Sequence, residues 1–147
     1  MSKVNSSYDY DWISFEAFEN WECFEGYVYP YDLDLLKKAS EVLEDKGCRR
    51  IVALDIYRDW QDAQELAKTS AIPDHLKHYC RVILLSELIP LQGVNAITID
   101  TFAYDLSKVT DGNHRLLAMK YLGWKEFPAF LNGFVDVLDC LKENTDR

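Results

Sequence analysis

The stretch Lys108-Val109-Thr110-Asp111-Gly112-Asn113-His114-Arg115-Leu116-Leu117-Ala118-Met119-Lys120-Tyr121-Leu122-Gly123 carries most of the information about the fold. Its β-branched start reads as a short strand over 108–110 and Asp111-Gly112 as a turn. Leu116, Leu117, Ala118, Tyr121 and Leu122 give a helix over 113–122, closed by Gly123. Downstream, Phe127-Pro128-Ala129-Phe130-Leu131 reads as a further strand, placed at a sheet edge because of its proline. Phe134, Val137, Leu138 and Leu141 mark a final amphipathic helix.

Upstream, Ala96-Ile97-Thr98-Ile99-Asp100 alternates and is β-branched, so it predicts a strand. The compact apolar run Arg81-Val82-Ile83-Leu84-Leu85 predicts a buried strand between helices. Asp32 is a good N-cap for a helix over 33–46, with Leu35, Leu36, Ala39, Val42 and Leu43 on one stripe and Gly47 at its end. Residues 50–57 predict a strand. Asp59 starts a helix through Trp60, Ala63, Leu66 and Ala67, which Pro73 interrupts before a short helix through Tyr79. Helices and strands alternate, so the expected class is α/β or α+β, a small mixed sheet with flanking helices.

A chain of 147 residues is the size of one domain, and 1–147 is expected to fold as a single unit. The 48% hydrophobic and 28% charged composition is that of an ordinary globular chain. No apolar run approaches the ~20 residues of a membrane span, and residues 1–7 carry no apolar signal core. The expectation is a soluble, cytoplasmic protein without membrane contact. Cys23, Cys48, Cys80 and Cys140 form no closely spaced pair, so buried thiols are expected rather than disulfides or zinc ligands.

The net charge of −9 is concentrated at one end: residues 1–36 hold eight acids against Lys3 alone. A broad phosphate-neutralising face for duplex nucleic acid is therefore not expected. Residues 8–31 also hold ten of the chain's aromatic residues, from Tyr8 to Tyr31. Aromatics bury large areas, so the acidic, aromatic segment 1–31 is expected to dock on the body. Ser14 is placed to cap a short helix over 15–24. The acids, Glu16, Glu19 and Glu22 among them, offer either solubility or a face for a basic partner.

Chemistry concentrates at Thr110-Asp111-Gly112-Asn113-His114-Arg115. A helix start leaves backbone N–H groups without partners, and these attract anions. Gly112 lets the backbone approach a ligand, Arg115 offers a donor fork for phosphate, and His114 is a proton carrier or donor. Asp111 is able to orient a hydroxyl or hold a metal-bound water. The alternative is structural, with Asp111 a cap, Gly112 a turn and Arg115 a surface ion pair. One glycine and no Gly-Lys-Ser/Thr exclude a P-loop. His75 and His78, three apart, predict a solvated helix face rather than a metal pair.

The stretch 111–131 resembles the signature of the ParB/sulfiredoxin-like superfamily: a strand, Asp-Gly-x-His-Arg, a helix with Ala118 three residues after Arg115, Leu122-Gly123 and a short strand. Val82–Pro90 resembles that family's first strand and loop, and Ile97–Ile99 its second strand, so the likeness spans about 80–131. The resemblance implies phosphate or nucleotide binding through Gly112, Asn113, His114 and Arg115, with Asp111 and His114 in catalytic roles. It also implies ATP or another nucleotide with Mg²⁺ as ligand, and a small phosphotransferase or nucleotide hydrolase activity.

Several members are excluded or departed from. Asn113 stands where sulfiredoxins carry cysteine, which argues against sulfinic-acid reduction. The 16 residues after Leu131 are too short for the DNA-binding helix-turn-helix of the partitioning proteins. Gln92 stands near the acid of the family's serine kinases, and only Gly93-Val94-Asn95 separates it from Ala96. The second expectation is a non-catalytic acidic interaction or inhibitor protein for a basic partner, such as a nucleic-acid-binding protein.

Overall fold

In the computed structural model, residues 4–5, 9–45, 72–103, 106–133 and 135–145 are described. The strand expected over 50–57, the helix from Asp59, Gly47, Cys48 and Tyr8 lie outside the described residues. The architecture is mixed α/β, with a four-stranded mixed sheet and flanking helices. In chain order the elements are β1 (Asp11–Ser14), α1 (Phe15–Glu19), α2 (Leu33–Asp45), a 3₁₀ turn (Asp74–Leu76) and α3 (Lys77–Gln92). Then come β2 (Ile97–Ala103), β3 (Leu106–Asp111), α4 (Asn113–Tyr121), β4 (Glu126–Asn132) and α5 (Val135–Thr145).

The sheet order is β1-β4-β2-β3, with β4 parallel to β2 and the outer pairs antiparallel. In β2 the side chains of Ile97, Ile99 and Thr101 are buried while those of Thr98 and Asp100 are half-buried, which is the two-residue period of a strand. Caps set the helix starts. Ser14 accepts the Ala17 N–H at 3.2 Å and begins α1. Asp32 Oδ1 accepts from Asp34 N–H at 3.0 Å and Leu35 N–H at 3.1 Å and begins α2. Helix α1 stops at Glu19, short of the expected 24, and Gly26 adopts a left-handed φ of 99° beyond it.

Two further elements differ from the sequence expectation. Val82–Leu85 is not a strand; it lies in the middle of α3, whose residues Tyr79, Cys80, Val82, Ile83, Leu84, Leu85, Ser86 and Ile89 are all buried. Helix α3 packs against both α2 and α4. A helix covered on opposite sides is apolar nearly all round and loses the 3.6-residue pattern that would distinguish it from a strand. Pro90 enters only in its last turn.

The second difference is β4, which is an inner strand, not an edge. Pro128 stands opposite Trp12, and the Phe15 N–H donates to Lys125 O at 3.0 Å. Antiparallel alternation then aims residues 125, 127 and 129 at β1 and the Pro128 nitrogen toward β2. Pairing with β2 starts one residue later, at Ala129 opposite Ile97, so the absent N–H falls before that ladder begins.

The acidic, aromatic segment forms part of the body. It supplies β1 to the sheet and buries Ile13, Phe15, Ala17, Phe18, Trp21 and Cys23. Phe18 meets Phe127 edge-on, with centroids 5.4 Å apart, and Phe15 lies 4.8 Å from the same ring. Not all the acids stand alone: Asp11 pairs with Lys142 at 3.4 Å, and Glu19 pairs with Lys120 and accepts the Tyr27 hydroxyl at 3.0 Å. Burial beside Glu19 pushes the Tyr27 phenol far up, which keeps it a donor. The Lys120 ammonium also sits over Tyr31 (5.1 Å), Phe15 (5.7 Å) and Tyr27 (5.7 Å). Cys23 and Cys80 are buried, and Cys140, contrary to expectation, is exposed on α5. Among the described residues no helix is long and apolar enough to cross a membrane.

Phe18 is 4% exposed and touches four other aromatic rings. Phe18→Ala is expected to cost about 3–5 kcal/mol in urea unfolding, and deletion of residues 1–25 to abolish cooperative unfolding by removing β1. A truncated chain that melts like the full one would refute this role.

Candidate functional site

The junction of β3 and α4 is built around Gly112. Asp111 pairs with Thr98 and Val109 with Ile99, so Thr110 is an extra residue bulged from β3 immediately before the turn. Thr110 Oγ1 donates to Asp100 Oδ2 at 2.6 Å. Gly112 then takes φ 97°, ψ 24°, a left-handed conformation, as the N-cap of α4. A Cβ on Gly112 would lie 2.6 Å from Ile97 Cγ2 and 2.8 Å from Arg115 Nη2. Asn113 Nδ2 donates back to Val109 O at 3.0 Å, and Leu116 N–H to Gly112 O at 2.8 Å. Among the described residues no side chain caps α4.

Residues 111–115 all line one cavity of about 420 Å³, whose far wall is α3 and the Gly93-Val94-Asn95 turn. This volume is in the usual range for small-molecule sites, about 300–1,000 Å³. Arg115 Nη2 donates to Asp111 Oδ2 at 3.0 Å and Nη1 to Asn95 O at 3.4 Å. The guanidinium is thus held along the cavity by an exposed carboxylate and a carbonyl. Arg81, from α3, lines the same cavity. The chain start reaches it too: Val4 bridges Val94, Asn5 N–H donates to Val94 O and Asn5 Nδ2 to Gln92 O, both at 2.8 Å.

His114 faces His78 across the helices, with Nε2 2.9 Å from His78 Nδ1. The centroids are 5.1 Å apart and the planes 20° apart, so the rings lie side by side, joined by one shared N–H. Tyr29 covers both, at 3.9 Å from the His78 centroid and 4.9 Å from that of His114. Tyr79 OH donates to Pro30 O at 2.9 Å and fastens that segment to α3. Burial, then His78 and Arg81, lowers the His114 pKa from 6.5 to about 3; burial and Arg81 lower that of His78. Near neutral pH His114 is therefore an uncharged hydrogen-bonding group, not an imidazolium.

The structure thus gathers Asp111, Gly112, Asn113, His114 and Arg115 at one cavity and adds Arg81, which sequence reasoning missed. His78 and Tyr29 pack against His114; the sequence singled out His78 only beside His75, and Tyr29 only as one of the aromatics. His75 is exposed, whereas His78 is half-buried against His114 and Tyr29, so the solvated face expected for the pair holds for His75 alone. Among the described residues no group of three or more His, Cys, Asp or Glu side chains is placed to hold a metal ion. Asp111 is the one carboxylate among the described residues lining the cavity.

Two outcomes test this geometry. Gly112→Val, which forces a branched side chain into a left-handed turn against Ile97, is expected to lower the melting temperature by several degrees, about 1–3 kcal/mol; an unchanged melt would refute the constraint. The unfolded chain protonates His114 near pH 6.5 and the folded chain only near pH 3. Stability therefore falls as pH is lowered through that window. In His114→Gln the fall is expected to be shallower, and an identical pH profile would refute it. No family model, no curated protein and no solved structure matches the chain.

Proposed function

We propose that the chain binds phosphate or a nucleotide at the 111–115 turn, as a domain of ParB/sulfiredoxin-like type. The observation that carries the reading is the convergence of Arg81, Arg115 and the first turn of α4 on one cavity. N–H groups of a first helical turn lack intrahelical partners and favour anions. Two guanidiniums add charge and planar donor geometry suited to phosphate oxygens. The order β3, Asp-Gly-Asn-His-Arg, α4, Leu-Gly, β4 supports the family likeness over 97–131; Val82–Leu85, helical here, does not contribute to it.

In this reading Arg115 exchanges its Asp111 partner for phosphate oxygens, and Arg81 approaches from the opposite wall. Neutral His114, fixed by His78 and dried by Tyr29, donates or accepts a hydrogen bond at the phosphoryl group. Asp111, once released, orients the attacking hydroxyl or water of a phosphotransferase or nucleotide hydrolase. One carboxylate beside a phosphate site suits Mg²⁺, which is commonly held by one or two carboxylates plus the substrate's phosphates. When bound, Mg²⁺ supplies charge neutralisation on those phosphates.

The second reading is a non-catalytic acidic protein for a basic partner. Exposed Asp9, Glu16, Glu22, Glu25 and Asp34 favour it, whereas Glu19 and Asp11 are already engaged by Lys120 and Lys142.

Titration calorimetry with inorganic phosphate, pyrophosphate and Mg²⁺-nucleotides separates the two. Arg115→Ala and Arg81→Ala are each expected to weaken binding roughly tenfold to a hundredfold, the range for losing a charge-assisted hydrogen bond. Affinity unchanged in both variants, or absent in the wild type, would overturn the phosphate reading.

A further inference from the structure

A second cavity, of about 240 Å³, lies between the segment 24–28 and the middle of β3. Phe24, Glu25, Tyr27, Lys108, Val109 and Asn113 are among its walls. Asn113 also lines the larger cavity, so the two hollows are neighbours across that residue. The Asn113 amide is fixed there by its bond to Val109 O. Phe24 and Tyr27 meet edge-to-face, with centroids 5.2 Å apart, an arrangement that keeps ring faces from stacking on each other. Lys108 and Glu25 are exposed and provide a donor and an acceptor at the rim.

We propose that this second cavity receives the base of a nucleotide whose phosphates occupy the larger one. The inference rests on the phosphate reading and narrows its ligand class from any phosphate to a nucleotide. The chemistry of the two hollows differs in the way the two ends of a nucleotide differ. One offers arginines and a helix start. The other offers aromatic and aliphatic walls with a few polar groups at the edge, as a heterocyclic base requires. Glu25 accepts from the N–H groups of the base edge, and Lys108 donates to a carbonyl or ring nitrogen. Taken together the two volumes stay within the range of small-ligand sites, about 300–1,000 Å³. Segment 24–28 therefore has a role in specificity, and Phe18, which also lines this cavity, joins it to the core.

Titration of the full chain with inorganic phosphate, ribose 5-phosphate, the four common ribonucleoside 5′-monophosphates and the matching nucleosides tests this. At least one nucleotide is expected to bind roughly tenfold tighter than ribose 5-phosphate, the scale of one base stacked on aromatic side chains. Val109→Trp fills the cavity. It is expected to erase that preference while leaving inorganic phosphate affinity within about twofold of the wild type. If Val109→Trp does not fold, the double variant Glu25→Gln, Lys108→Ala, whose side chains are exposed, takes its place with the same expectation of a reduced preference. Ribose 5-phosphate binding as tightly as every nucleotide would overturn the base site and leave the phosphate reading standing. A nucleoside that binds, with its affinity reduced by Val109→Trp, while no phosphate binds would uphold the base site and overturn the phosphate reading. A nucleotide preference that survives both variants would overturn the assignment of the base to this cavity.

Discussion

The left-handed turn at Gly112 is the constraint on which the site depends. It reverses the chain between β3 and α4 while pressed against Ile97, the first residue of β2. A side chain there would push the turn off β2 and swing the start of α4. Because Arg115 Nη2 would lie 2.8 Å from a Cβ on Gly112, the same glycine also sets where the guanidinium rests. The bulge at Thr110 and the bond from Asn113 to Val109 O brace the turn from either side. The first turn of α4 is thus aimed by backbone geometry.

A second layer of the design links the acidic end of the chain to that helix. Lys120, on the last full turn of α4, is held by Glu19 and covered by rings of Phe15, Tyr27 and Tyr31. Tyr29, which stands between Tyr27 and Tyr31 in the sequence, stacks on the histidine pair. One segment therefore grips α4 at its C-terminal end through a cation and at its N-terminal end through stacked rings. Its acids serve two ends: some are internal partners, and others remain in solvent.

Local features were legible in the sequence. Ser14 and Asp32 as caps, the alternation of 97–100, and the Asp-Gly turn into a helix all depend on near neighbours. What could not be read depends on burial or on contacts between distant residues. Val82–Leu85 is apolar on every side because α2 and α4 both cover α3, and periodicity carries no signal in that case. Pro128 escapes the edge-strand rule because of a register that only the assembled sheet defines. Arg81 joins the cavity, and His78 reaches His114, because α3 packs against α4; their spacing of three on one helix was a signal only once 77–92 was known to be helical. His78 was considered beside His75, its sequence neighbour, whereas its partner is His114.

The pairing of β1 with β4 has a consequence for how the molecule forms. Asp11–Ser14 and Glu126–Asn132 stand near opposite ends of the chain, so this part of the sheet is closed by contacts of very long sequence separation. Such closure is entropically costly and slow compared with the local β2–β3 hairpin. During synthesis Phe15 and Phe18 leave the ribosome well before Phe127, the ring that packs against both. The nascent chain thus carries an unpaired strand and two uncovered rings until β4 is made, the period in which such segments associate wrongly. The surrounding cluster of negative charge keeps like chains apart through that interval, a kinetic use for acids that stand exposed among the described residues.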